Sequence, residues 1–115
     1  MCAYVGMRGM TEKEKLIYAA KARVIKALAH PMRLWMVERL VAGERCVCEF
    51  VNDVDVDFST VSKHLALLRQ AGIVEDEKRG KQVYYRLKVP CVIKLISCVD
   101  AVIKSKVKEQ AALLK

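Results

Sequence analysis

No run of about 18 apolar residues occurs in this 115-residue chain, so no segment is expected to cross a membrane as a helix. The longest candidate, near residues 91–103, is interrupted by Lys94 and Asp100. The opening MCAYVGMRGMTEKEK has no apolar stretch of the about 7–15 residues that a secretory leader requires. The expected location is therefore the cytoplasm, where thiols stay reduced. Histidine is scarce: His30 and His64 are isolated in sequence, which argues against a histidine-rich zinc or nickel site. Neither adjoins a cysteine, and no glycine-rich phosphate loop is present. A small thiol enzyme, such as a reductase or a peroxidase, is not expected. Repeats and low-complexity linkers are missing too, and the length suits one domain over residues 1–115. At 54% apolar residues the chain is expected to fold.

What the sequence does have is an odd number of cysteines and an uneven distribution of charge. Cys2, Cys46, Cys48, Cys91 and Cys98 cannot all pair within one chain, which argues against a disulfide framework. The formal net charge is +8. Residues 1–40 carry +5, residues 59–88 carry +4 and residues 89–115 carry +3. Residues 41–58, which hold Cys46 and Cys48, carry −4. A basic body with one acidic segment suggests a polyanion on one face and a cation elsewhere.

The periodicity reads as helices, then a hairpin, then a helix. Thr11-Glu12-Lys13-Glu14 has the form of a capping box, followed by Ile17, Val24, Ile25 and Leu28 at helical spacing. This predicts a helix over about 11–29, ended at His30 by the following proline. Pro31 suits the first turn of a second helix, with Leu34, Trp35, Val37, Leu40 and Val41 as its stripe and Gly43 as its stop. A short helix over about 46–53 comes next. Asp57 is the expected N-cap of a helix over about 58–71, closed by Gly72.

IVEDEKRGKQVYYRL then predicts strands Ile73–Glu77 and Gln82–Leu87 around a turn at Lys78-Arg79-Gly80-Lys81. Pro90 opens a last helix over about 90–113. Between Cys91 and Ile103 it is apolar nearly all round, which predicts cover from a second copy of the chain. The resulting expectation is a mainly α fold with a β-hairpin wing, a winged helix-turn-helix. Its 58–71 helix would enter a major groove.

From about residue 22 to residue 88 the sequence resembles the ArsR/SmtB family of bacterial metal-responsive repressors. The landmarks are ALAHPMRLWMVERL at 27–40, RCVCEF at 45–50, STVSKHLALLRQAGIV at 59–74 and RGKQVYYRL at 79–87. The resemblance implies a homodimer built on the first and last helices that binds an inverted-repeat operator when metal-free and releases it on binding metal. The CVC pair looks most like the arsenic- and antimony-sensing branch, with the cadmium- and lead-sensing branch next to it. Many arsenic-sensing members carry a further cysteine three residues on, where this chain has Val51. The final helix lacks the Asp/His/Glu pattern of the family's zinc sensors.

For DNA, Ser59, Thr60 and Ser62 open the reading helix with short hydroxyls that can reach base edges or phosphates, and Lys63 can neutralise a phosphate. Arg69 is placed to touch the backbone from the helix's far end. Lys78, Arg79 and Lys81 are placed at the wing tip to hold phosphate or reach a minor groove. His64 either contacts phosphate or braces the helix. The competing reading makes these residues ordinary caps and solvated charges.

For the ion, Cys46 and Cys48 stand about 200° apart on a regular helix and could not share a ligand there. At an extended helix start they can, and that location also favours thiolate. Soft thiolates select trivalent arsenic or antimony, or cadmium(II) or lead(II), over hard cations. Cys2 is the leading third donor. Cys91 and Cys98 share a helix face about 10 Å apart along the axis and are expected to pack in the dimer interface. The competing readings make Cys46 and Cys48 small core residues, or a redox or persulfide switch that links one of them to Cys91 or Cys98.

Overall fold

The computed structural model describes residues 8–113. Helix α1 runs Glu12–Leu28, and Thr11 caps it by accepting the Glu14 amide at 3.1 Å. The capping box is only half formed: the Thr11 hydroxyl donates to the Glu14 carboxylate, which does not reach back to the cap amide. Pro31 opens α2 (Pro31–Leu40), and His30 Nδ1 accepts the Met32 amide at 3.1 Å as its cap. Strand β1 (Arg45–Cys46) leads directly into α3 (Val47–Asp53), and Asp57 caps α4 (Phe58–Gln70).

Helix α4 ends in a paired closure. The Gly72 amide donates to the Arg69 carbonyl and the Ile73 amide to the Leu68 carbonyl, each at 3.0 Å. Gly72 has φ +83°, the left-handed value that this Schellman closure requires and that glycine adopts without a Cβ clash. Ile73 is thereby turned into the core.

The wing is β2 (Val74–Arg79) and β3 (Gln82–Leu87), antiparallel, with Arg79 opposite Gln82. The turn shrinks to Gly80-Lys81, since Lys78 and Arg79 continue the ladder where the sequence predicted a four-residue turn. Gly80 at φ +63°, with Lys81 in ordinary space, gives the two-residue turn that matches the twist of a hairpin. The sheet has a third strand the sequence did not predict. β1 pairs antiparallel with β3, Arg45 opposite Tyr85 and Cys46 opposite Tyr84, giving the order β1-β3-β2.

Met36 and Val37 of α2, Phe50 of α3, and Val61, Leu65 and Leu68 of α4 form the core with Ile73, Val74 and Tyr85. The last helix, α5 (Val92–Leu113), joins it through Val92 and Ile96, with Ile93 half-buried beside them. Leu95, Val99, Val102, Ile103 and Val107 of α5 remain exposed, as do Leu16, Ile17 and Ile25 of α1. Among the described residues no helix is long and apolar enough to cross a membrane.

Candidate functional site

Cys46 and Cys48 meet because only one of them is in the helix. Cys46 is the N-cap of α3, with extended backbone (φ −72°, ψ 151°), and Cys48 lies in the first turn. The angular separation that would part them on a regular helix therefore does not apply. Their Cα atoms are 5.3 Å apart and their sulfurs are in bonding contact, as in a disulfide between residues two apart. That link closes a three-residue loop and joins no distant elements. Cys46 is 3% exposed, whereas Cys48 reaches the surface.

The Cys46 sulfur also serves the helix. It accepts the Cys48 amide at 3.2 Å, and the Glu49 carboxylate accepts the Cys46 amide at 3.3 Å, completing a capping box. A pocket of about 170 Å³ opens over the sulfurs, walled in part by Phe58, Lys81, Gln82 and Val83. The Gln82 Oε1 lies 2.7 Å from the Cys46 sulfur and 3.3 Å from that of Cys48.

A second contact ties this segment to the wing. Glu44, two residues before Cys46, accepts both terminal nitrogens of Arg79, the longer contact at 3.0 Å. Arg79 also donates to Glu77 and lies 4.7 Å over the Tyr84 ring. Its guanidinium holds the Glu44 and Glu77 carboxyls below the usual carboxylate range. Arg69 is likewise engaged, donating to Asp76 at 2.9 Å. By contrast, Lys63, Lys78 and Lys81 are exposed and make no ion pair within the described residues.

At the start of α4 the Asp57 carboxylate accepts the Thr60 amide at 3.0 Å and the Ser59 hydroxyl at 3.1 Å. Those contacts, with Thr60 first, hold its carboxyl below the usual range. Ser62 and Lys63 follow on the first turns, with Ser62 half-buried.

His64 turns back onto His30, ring centroids 4.4 Å apart, and its Nδ1 is buried with no partner. Burial lowers its basicity first, and the charges of His30, Arg33 and Lys63 act in the same direction. The sign for stability follows. A histidine whose folded value is depressed binds fewer protons folded than unfolded as pH falls below its ordinary 6.5. Stability is then lost on acidification from pH 7 to 5.5. Urea midpoints should fall over that interval in the wild type and fall less in His64→Gln; parallel pH dependence in the two would refute the assignment.

The thiol pair, the start of α4 and the His30–His64 contact lie within the segment that matches a known family. A profile described as "Bacterial regulatory protein, arsR family" matches residues 30–76. The HTH-type transcriptional regulator Rv0081 of Mycobacterium tuberculosis is 32% identical over 100 residues, covering 86% of this chain and 88% of the relative. The chain belongs to the arsR family. Its members are transcriptional regulators and not enzymes. The Rv0081 crystal structure superposes with a TM-score of 0.72 at 31% identity, over 83% of this chain and 96% of that one. A homodimeric winged helix-turn-helix DNA-binding domain from Mycobacterium bovis, Mb0332, gives 0.73 at 29% identity, over 89% and 94%. The arsenical resistance operon repressor of Escherichia coli is 44% identical over 66 residues, 56% of each chain.

Within the arsR-family fold, the structure brings Cys46 and Cys48 together, and among the described residues no other cysteine joins them. Among the described residues no group of three or more His, Cys, Asp or Glu side chains is arranged to hold a metal ion. Cys91, just before α5, and Cys98 within it are exposed and free. Cys2 lies outside the described residues. Sequence reasoning missed Gln82 and Glu44, because it missed the β1–β3 pairing that lays the thiol segment against the wing. Glutamine carries no motif, so the one signal for Gln82 was its place beside the turn of the wing.

Proposed function

We propose that this transcriptional repressor of the arsR family binds an inverted-repeat operator as a homodimer and releases it when arsenite or antimonite is taken up by Cys46 and Cys48. The observation that carries this reading is the meeting of the two sulfurs at the cap of α3. Helix α3 packs against α4, the helix that bears Ser59, Thr60, Ser62 and Lys63. Exposed apolar residues on α1 and α5 supply the dimer surface, and the homodimeric relative from Mycobacterium bovis supports it. The match to an arsenical repressor supports the ion class. A cytoplasmic site of action goes with this reading.

A trivalent metalloid supplies a soft centre that takes up thiolate sulfur. The chain's own residues do the rest. The Cys46 sulfur caps the Cys48 amide in the ion-free state. A sulfur drawn outward leaves that amide without its acceptor and loosens the first turn of α3, and with it the support under α4. Ion and DNA then favour different arrangements, and each weakens the other's binding by the same factor. A third sulfur for a pyramidal site comes from outside the pair, and Cys2→Ser tests the leading one. Cadmium(II) and lead(II) suit the same donors and belong in the same titration.

The test is the anisotropy of labelled operator DNA with reduced protein under added arsenite. Wild-type protein is expected to lose affinity by a factor within the about 5–150-fold typical of coupled sites. Cys46→Ser/Cys48→Ser is expected to bind the operator and ignore arsenite. An unchanged arsenite response in that variant rejects the proposal.

The bonding contact of the sulfurs favours a second reading, a redox switch. Two thiols join as a disulfide with loss of two protons and two electrons, the electrons passing to a peroxide-class oxidant. Release of DNA by peroxide without metal, reversed by a thiol reductant, distinguishes this reading from the first.

A further inference from the structure

An uncharged side chain of the wing bears its polar group directly on the thiol pair. Gln82 is the first residue of β3, directly after the turn Gly80-Lys81. Its side-chain oxygen is within contact of both sulfurs, at 2.7 and 3.3 Å. These residues lie more than thirty positions apart in sequence, and the β1–β3 ladder brings them together. We propose that Gln82 is the positioning residue through which the state of Cys46 and Cys48 acts on the wing that carries Lys78 and Lys81. The inference rests on the function proposed above and names the route by which that site speaks to DNA.

The chemistry suits an amide and few other groups. A thiol S–H can donate only to an acceptor, and the Gln82 carbonyl oxygen is one, placed against both sulfurs. Once the sulfurs are ligated, neither carries a proton, and the same oxygen faces sulfur lone pairs. A half-turn of the amide then presents its NH₂ group, which donates to sulfur. Gln82 therefore has a distinct partner arrangement for each state of the pair. Its backbone is locked opposite Arg79 in the hairpin, so a change in its side-chain anchorage bears on the two residues of the turn. The Glu44–Arg79 contact links the same two segments, but both groups are exposed and charged and neither touches sulfur. The coupling is assigned to Gln82 for that reason.

The experiment compares wild type, Gln82→Ala and Gln82→Glu in three readouts: operator affinity by anisotropy, arsenite affinity by equilibrium dialysis, and the effect of saturating arsenite on operator affinity. Gln82 is exposed and its replacements leave the core intact. Gln82→Ala is expected to bind DNA and arsenite each as wild type does, while arsenite changes its operator affinity by less than about 3-fold, below the usual range for coupled sites. Gln82→Glu accepts from S–H but cannot donate, so it is expected to bind arsenite more weakly than wild type with operator affinity in the absence of arsenite kept. In wild-type protein the Gln82 side-chain NH₂ resonances should shift when arsenite is added. Full arsenite release in Gln82→Ala, with wild-type arsenite affinity in Gln82→Glu, overturns the role of Gln82 and leaves the thiol reading standing. No release in wild type overturns both.

Discussion

Phe50→Ala is expected to lower the folding free energy by about 3–5 kcal/mol, the usual loss when a buried phenylalanine is truncated. Phe50 is 0% exposed and is among the largest fully buried side chains. It projects from the middle of α3 against Trp35 of α2, edge to face with centroids 5.8 Å apart, and the Arg45 guanidinium lies 6.0 Å from its ring. Three elements would thus line the cavity, and α3 has no other fully buried anchor of that size. A domain of this class has only about 5–15 kcal/mol in total, so the loss is a large fraction. At fixed protein concentration the urea midpoint should drop by about 1–3 M.

The chain supplies its own control. Its other phenylalanine, Phe58, is 58% exposed at the start of α4, and Phe58→Ala should move stability by no more than about 0.5 kcal/mol. Equal midpoints for the two variants would mean that α3 is not anchored as described, and the link from the thiol pair to the core would fail with it.

The elements legible in the sequence are those whose ends carry local chemistry. Thr11, Pro31, Asp57 and Gly72 each mark a helix end, and the structure uses each there. Gly80 marks the hairpin, although the strand runs on through Lys78 and Arg79 because their partners continue to Gln82. β1 was not legible, since two residues have no period. Its consequences were therefore hidden: the contacts from Glu44 to Arg79 and from Cys46 to Gln82 span 35 and 36 positions. The proximity of Cys46 and Cys48 was legible, because an N-cap is extended and frees the pair from helical spacing. The contact of the His64 ring with that of His30 was not, since it depends on how α4 crosses the start of α2. Two arginines assigned to DNA by position, Arg69 and Arg79, turn out to have carboxylate partners of their own. Sequence placed their Cα atoms near the expected interface but could not show where their charge is spent.

That distinction between free and engaged cations sets the largest expected effect on DNA binding. Lys63 on α4 and Lys78 and Lys81 on the wing are exposed without an ion-pair partner among the described residues. In the proposed dimer they offer six phosphate contacts, and each contact contributes about 0.9 to the slope of log K against log salt. Replacing all three lysines with glutamine should therefore flatten that slope by about 5 and weaken binding by about 10⁴-fold at 0.15 M salt. The surface carries them without structural contacts, so the fold should be unaffected, which circular dichroism checks. Arg69→Gln/Arg79→Gln removes the same kind of charge but from groups already held by Asp76, Glu44 and Glu77. Exposed ion pairs of this kind add little to stability, and moving an arginine from carboxylate to phosphate exchanges one partner for another. The arginine variant should lose less than about 10-fold and change the slope by no more than about 2. Anisotropy over 50–300 mM salt measures both. If the arginine variant loses as much as the lysine variant, the carboxylates release their arginines on contact with DNA, and the ion pairs of Arg69 and Arg79 are then part of the binding reaction.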